Sequence, residues 1–175
     1  MMKVIVFLGY GDGGKTTAIV GVASQLVKVG KKVGTLKHIH DEGFTIDTMG
    51  KDTWRHASAG ASVVVALAPN ELTTIEKADT HELALDQLFG IFRSRHVDYL
   101  LIEGLYRKLS RRKDVMRILC VKTSKEAKEL LAIHPKPMCI LTRKEGGERA
   151  IQGIPVMKLP RDLAKVMKLI RRSEA

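Results

Sequence analysis

The chain has 175 residues, 45% of them hydrophobic, which suits one compact domain over 1–175 with a substantial core and little length for a second. No apolar run reaches the roughly 20 residues of a membrane-spanning helix, and Cys120 and Cys139 are too few for a disulfide scaffold or zinc knuckle, as suits a reducing cytoplasm. Thirty Lys and Arg against nineteen Asp and Glu give a net charge of +11, which attracts polyanions without choosing among nucleic acid, an anionic substrate and an acidic partner.

Residues 3–8 form a short apolar run that passes straight into glycines, the pattern of a buried parallel strand rather than of a secretory signal. Ala18, Ile19, Val22, Ala23, Leu26 and Val27 then recur at helical spacing, with Gly30 at the stop. Val33 to Lys37 reads as a second strand, and residues 38–56 as a polar, charged loop too long for a turn and therefore a carrier of function. Beyond it lie a β-branched run at Ser62–Leu67, a short strand at Leu72–Ile75, a helix over His81–Arg95 and a strand at Asp98–Ile102. Later strands fall at Val115–Val121 and Pro137–Leu141, and a closing helix at Arg161–Arg172. The alternation predicts an α/β fold, a mainly parallel twisted sheet with helices on both faces.

The basic run Arg107, Lys108, Arg111, Arg112 and Lys113 has Tyr106 as its one aromatic neighbour. Nucleic-acid platforms interleave more aromatics, so this reads as a solvated basic loop and nucleic acid is disfavoured.

Gly9-Tyr10-Gly11-Asp12-Gly13-Gly14-Lys15-Thr16 matches the eight-residue phosphate-loop pattern and sits between a predicted strand and a predicted helix, the context that pattern requires. Gly11, Asp12, Gly13 and Gly14 let main-chain N–H groups turn toward phosphate oxygens, Thr16 and Thr17 open a helix whose positive end adds to them, and Lys15 reaches the β and γ phosphates. The Thr16 hydroxyl is a magnesium ligand, and its carboxylate partner is expected on a neighbouring strand. Glu103, at the C-terminal end of its strand with Gly104 behind it, supplies that carboxylate, whereas Asp98 begins the same strand and points away. Lys15 and Glu103 are the candidate catalytic pair, Thr16 and Glu103 the metal pair.

With these residues in place the sequence resembles the molybdopterin-guanine dinucleotide biosynthesis protein B (MobB) family of phosphate-loop NTPases. Gly34-Thr35-Leu36-Lys37-His38-Ile39-His40, Asp47, Gly50-Lys51-Asp52-Thr53-Trp54-Arg55-His56 and Ala59-Gly60-Ala61 are similar to its signature in order and spacing, and Ile154-Pro155-Val156 to its C-terminal pattern. The resemblance implies GTP with Mg2+, weak GTPase activity, a homodimer, and a cytoplasmic role beside a MobA-type guanylyltransferase that attaches GMP to molybdopterin. The same segment has a physical reading in which Lys37, His38, Lys51, Arg55 and His56 gather donors near a phosphorylated ligand while Asp47 and Asp52 hold magnesium or orient those cations; the residues alone favour a solvated charged loop, and the resemblance favours the ligand site. Asp12-Gly13 departs from the family's usual serine and glycine, placing a negative charge beside the phosphates.

Two further readings stay open: a non-catalytic adaptor switched by nucleotide, and a nucleic-acid-binding ATPase or kinase. Residues 142–145, Thr-Arg-Lys-Glu, follow a late strand where other phosphate-loop proteins read guanine, and resemble that pattern only faintly. His38 and His40 lack the spacing of a structural zinc site.

Overall fold

The structure, a computed structural model, describes residues 1–173. These residues form two compact units, Met1–His38 with the chain from Phe89 onward, and Ile39–Leu88.

The first unit is built on β1 (Lys3–Leu8), α1 (Lys15–Lys28), β2 (Val33–Lys37) and, after the second unit, the greater part of α3 (Leu85–Arg93), whose first four residues belong to the second unit, then β5 (Tyr99–Glu103) and α4 (Tyr106–Leu109). It continues through β6 (Val115–Cys120), α5 (Ser124–Ile133), β7 (Cys139–Thr142), β8 (Ala150–Ile151), β9 (Ile154–Lys158) and α6 (Leu163–Arg172). Between them, in the second unit, lie α2 (Asp52–Ser58) and the strands β3 (Val63–Ala68) and β4 (Glu71–Glu76).

Seven strands order as β2-β5-β1-β6-β7-β9-β8, parallel except for the short edge strand β8. Side chains alternate across such a sheet, and here both sets are apolar. Ile5, Phe7, Leu101, Ile118 and Leu141 join α1 and α6 in one core. On the opposite face Val4, Val6, Leu100, Ile102 and Ile140 are equally buried. Gly34, level with Leu100, brings β2 so close to Phe92 of α3 that an added Cβ would lie 2.6 Å from the ring. Helices thus cover both faces, and strands without polar alternation are the sequence signature of that arrangement. The parallel order puts the C-terminal ends of β1, β5, β2 and β6 along one edge, where ligands collect in such sheets.

The second unit is small. Strands β3 and β4 pair antiparallel from Val63 opposite Glu76 to Ala68 opposite Glu71, and α2 packs on β3. The polar stretch expected over residues 38–56 turns helical at Asp52, and the helix expected from His81 begins at Leu85. Before it, Asp79 accepts from the His81 N–H and the Gln87 side chain from the Ala84 N–H, local bonds that hold the backbone in turns. Among the described residues no helix is long and apolar enough to cross a membrane.

Candidate functional site

The loop after β1 is shaped by what lies beneath it. At Gly9, with φ +144°, an added Cβ would fall 2.0 Å from the Cys120 carbonyl oxygen at the end of β6, and at Gly13 it would fall 2.6 Å from the same atom. Only glycine lets the main chain rest on that ledge. Gly14, at φ 90°, is the N-cap of α1 and offers no side-chain acceptor, so the N–H groups of the first helical turn have no cap. Uncapped amides at the positive end of a helix form an anion-binding feature. Asp12 holds a left-handed φ of 57° without being glycine.

Lys15 turns back over this loop, its Nζ donating to the carbonyls of Gly9 at 3.0 Å and Tyr10 at 2.7 Å. One position on, the Thr16 hydroxyl donates to Glu103 Oε2 at 3.2 Å. Lys37 Nζ approaches the other oxygen, Oε1, at 3.9 Å, and the Glu103 side chain is 16% exposed. The His38 N–H donates to the Glu103 carbonyl at 2.9 Å, continuing the β2–β5 ladder, and Gly104 lies against the His38 Cβ. The structure therefore brings Lys15, Thr16, Glu103, Lys37 and His38 to one end of β1, β2 and β5. Thr17 is exposed on the same first turn, and Gly11 borders open space.

A hydroxyl and a carboxylate 3.2 Å apart form a hard oxygen pair that suits Mg2+, whose remaining ligands are water and substrate phosphates. Among the described residues no group of three or more His, Cys, Asp or Glu gathers to hold a metal by itself.

The four remaining candidates lie in the second unit. Asp47 Oδ1 accepts from the Thr48 N–H at 2.8 Å and the Thr53 hydroxyl at 2.9 Å, while its Oδ2 is buried without a partner. Lys51 is the N-cap of α2, and Asp52 and Arg55 pair at 3.9 Å on the solvent face of that helix. An exposed pair of that length adds little to stability.

Two side chains on the other flank of the phosphate loop were not singled out by the sequence as phosphate-site residues. Lys122, just past β6, pairs with Asp12 at 3.7 Å, and Arg143, just past β7, donates to the Asp12 carbonyl at 3.2 Å. The signal for both was a basic residue directly after a buried parallel strand. Beside them the segments 121–124 and 142–148 enclose a cavity of about 220 Å³, lined by Thr123, Thr142, Lys144 and Glu145 among others. Glu145 is engaged there by Arg161 at 3.2 Å and Lys158 at 3.9 Å. The thiols are not part of this chemistry: burial pushes Cys139 up to about 12 and Cys120 higher still, aided by Cys139, so both stay protonated at neutral pH.

Against this geometry stand the relatives. The sequence profile described as molybdopterin guanine dinucleotide synthesis protein B matches residues 4–138. The molybdopterin-guanine dinucleotide biosynthesis adapter protein of Haemophilus influenzae is 34% identical over 96 residues, 55% of this chain and 53% of that one. A Bacillus subtilis relative, named with the same words and the qualifier probable, is 32% identical over 161 residues, 87% of this chain and 83% of its own. The chain spans about half the length of the first curated relatives it matches. The crystal structure of Bacillus subtilis MobB superposes with a TM-score of 0.74 at 25% identity, over 96% of this chain and 98% of that one.

Proposed function

This chain belongs to the molybdopterin guanine dinucleotide synthesis protein B family, and from that premise we propose that it is a cytoplasmic GTP-binding accessory protein of molybdopterin guanine dinucleotide synthesis with weak, magnesium-dependent GTPase activity. The observation that carries the reading is the convergence of Lys15, Thr16 and Glu103 around a glycine loop seated on the Cys120 carbonyl. Main-chain amides of the loop and of the first turn of α1 bind the phosphates. Lys15 exchanges the carbonyls of Gly9 and Tyr10 for phosphate oxygens, offsetting charge that builds as the terminal phosphoryl group leaves. Thr16 and Glu103 would hold the cation, which would supply charge neutralisation to the bound phosphates. Lys37, on Glu103 from the side of β2, fixes the carboxylate that would do this. The cavity beside Thr123 and Thr142 takes the nucleobase.

The segment 38–56 is a functional loop, with Asp47, Lys51, Asp52 and Arg55 serving a phosphorylated ligand. The buried, unpartnered Oδ2 of Asp47 supports that assignment, since such an atom is costly unless a donor or cation meets it. Pairing as a homodimer is supported by β3 and β4. Their outer face sets Val63, Val65, Leu67 and Leu72 in solvent, and a two-stranded sheet with an uncovered apolar face is marginal alone. The partner enzyme is a MobA-type guanylyltransferase acting on molybdopterin.

Calorimetry with GTP, ATP and a pterin nucleotide, with and without Mg2+, tests the reading. Lys15→Ala is expected to weaken GTP binding by roughly a hundredfold or more with the fold intact, and unchanged affinity refutes the assignment. Phosphate release that is slowed by Glu103→Ala supports intrinsic hydrolysis. Release at background levels in the wild type favours a nucleotide-switched adaptor instead, the word by which the Haemophilus influenzae relative is named.

A further inference from the structure

We infer that Lys122 and Arg143 belong to the polyphosphate site, as the counter-charges that make an aspartate workable inside a phosphate loop; the inference rests on the phosphate-loop reading above. Asp12 sits in that loop between Gly11 and Gly13 with its side chain 89% exposed. A like charge close to a bound polyphosphate changes affinity by about an order of magnitude when nothing offsets it. The structure offsets it from one flank. Sheet order places β5, with Glu103, on one side of β1 and β6 followed by β7 on the other. From that second side come Lys122, 3.7 Å from the Asp12 carboxylate, and Arg143, on the Asp12 carbonyl at 3.2 Å.

The backbone under both cations is fixed. The Lys122 N–H donates to Glu126 Oε2 at 2.7 Å while the Thr123 side chain accepts from the Glu126 N–H at 3.1 Å, a reciprocal cap that sets where α5 begins. Two residues earlier the Cys120 carbonyl supports Gly9 and Gly13, so Lys122 and the phosphate loop are held against the same strand end. Arg143 follows Thr142, whose hydroxyl accepts from the Lys144 N–H at 3.2 Å. Its side chain also roofs Gly14, where an added Cβ would lie 3.5 Å from Nε.

Folding does not account for this arrangement. An ion pair between side chains 49% and 89% exposed contributes little to stability, and Asp12 in the left-handed region adds strain that glycine would avoid. What the arrangement does provide is cationic charge on the flank opposite Lys37 and Glu103, so that an anion in the loop meets positive groups on both sides. Arg143, with one N–H on a loop carbonyl, keeps further donors on a rigid fork of the kind that recognises phosphate.

Calorimetry with magnesium tripolyphosphate, which has no base or ribose, and with GTP tests the inference in wild type, Lys15→Ala, Lys122→Ala, Arg143→Ala, Asp12→Asn and Asp12→Asn/Lys122→Ala. Lys122→Ala is expected to weaken tripolyphosphate binding roughly tenfold and Arg143→Ala about threefold to tenfold. The loss from Lys122→Ala is expected to shrink by at least about threefold in the Asp12→Asn background, because the charge it offsets is gone. The Asp12 and Lys122 side chains are exposed on open loops, and melting curves check that every variant folds. Three results overturn the inference: Lys122→Ala and Arg143→Ala both within about twofold of wild type while Lys15→Ala abolishes binding, losses additive across the double variant, or losses confined to GTP. The first of these leaves the phosphate-loop reading standing. Failure of the wild type to bind tripolyphosphate at all takes down both.

Discussion

The two compact units of this chain solve opposite problems. In the sheet unit Ile5, Leu101 and Ile118, on three neighbouring strands, are all at 0% exposure. In the unit from Ile39 to Leu88, Val64 is the one described side chain that is buried, while Leu67 at 84%, Met49 at 79% and Ile46 at 76% stand in solvent. A unit that buries its own core can hold a loop in unfavourable backbone conformations, as Gly9, Asp12 and Gly14 show at the end of β1. A unit that leaves its apolar residues outside has surface to give to something else.

Glycine substitutions break the contrast most sharply. Gly9→Ala drives a methyl group onto a main-chain carbonyl that has no room to move, and a loss of about 3 kcal/mol or more is expected, seen as a fall in Tm of roughly 6–12 °C. Gly50, in the smaller unit, also has positive φ, at 84°, but borders open space. Gly50→Ala should cost only about 1–2 kcal/mol of backbone strain. Equal losses would mean that φ alone decides and the Cys120 ledge contributes nothing.

Leucine substitutions sharpen it next. Leu101→Ala is expected to cost about 2–5 kcal/mol in urea melts, because its site is sealed on both sides. Leu67→Ser should change folding by no more than about 0.5 kcal/mol and instead shift sedimentation toward the monomer. A large loss of stability without a change in sedimentation would show that the apolar face of β3 and β4 serves folding rather than pairing.

The difference between the units also explains what could be read from the sequence. Strands β1 and β2 fall on the predicted bounds, β1 because its apolar run passes straight into glycines and β2, Val-Gly-Thr-Leu-Lys, because a helix stop precedes it and a polar stretch follows it. The phosphate loop and Glu103 were legible for the same reason: local pattern and sheet edge agree. Helix α5 was missed as an element although Thr123 and Glu126 spell its capping box, because half its surface is charged and its apolar stripe is Ala127 and Leu130. The strand β9 escaped because Pro155 interrupts its pattern; its neighbour on one side is only the two-residue edge strand β8, so the missing donor is tolerated. Lys122 and Arg143 could not be joined to Asp12 from sequence, because contacts across 110 and 131 positions depend on sheet order, which propensity does not encode.

The smallest expected effect lies at the rim of the sheet unit, where His134 ends α5 with its ring edge-on to Tyr106, centroids 5.3 Å apart. Burial, and then the charge of Arg117, hold its pKa below the ordinary 6.5. Arg117 is itself buried, its guanidinium satisfied by the carbonyls of Val115, Leu109 and Arg112, so that charge stays in place. The unfolded chain therefore takes up a proton near 6.5 while the folded chain resists it, and stability rises with pH where the unfolded state holds more protons. The contribution is full above that value and is lost as pH falls below it toward the folded pKa. Asp114, whose carboxyl is held down first by its hydrogen bond from Arg112, acts in a separate, more acidic window below the ordinary 3.8. Urea melts at about pH 7.5 and about pH 5.5 should thus show a larger decline for the wild type than for His134→Gln. Parallel declines would move the acid sensitivity to other groups and leave the contact with Tyr106 as packing alone.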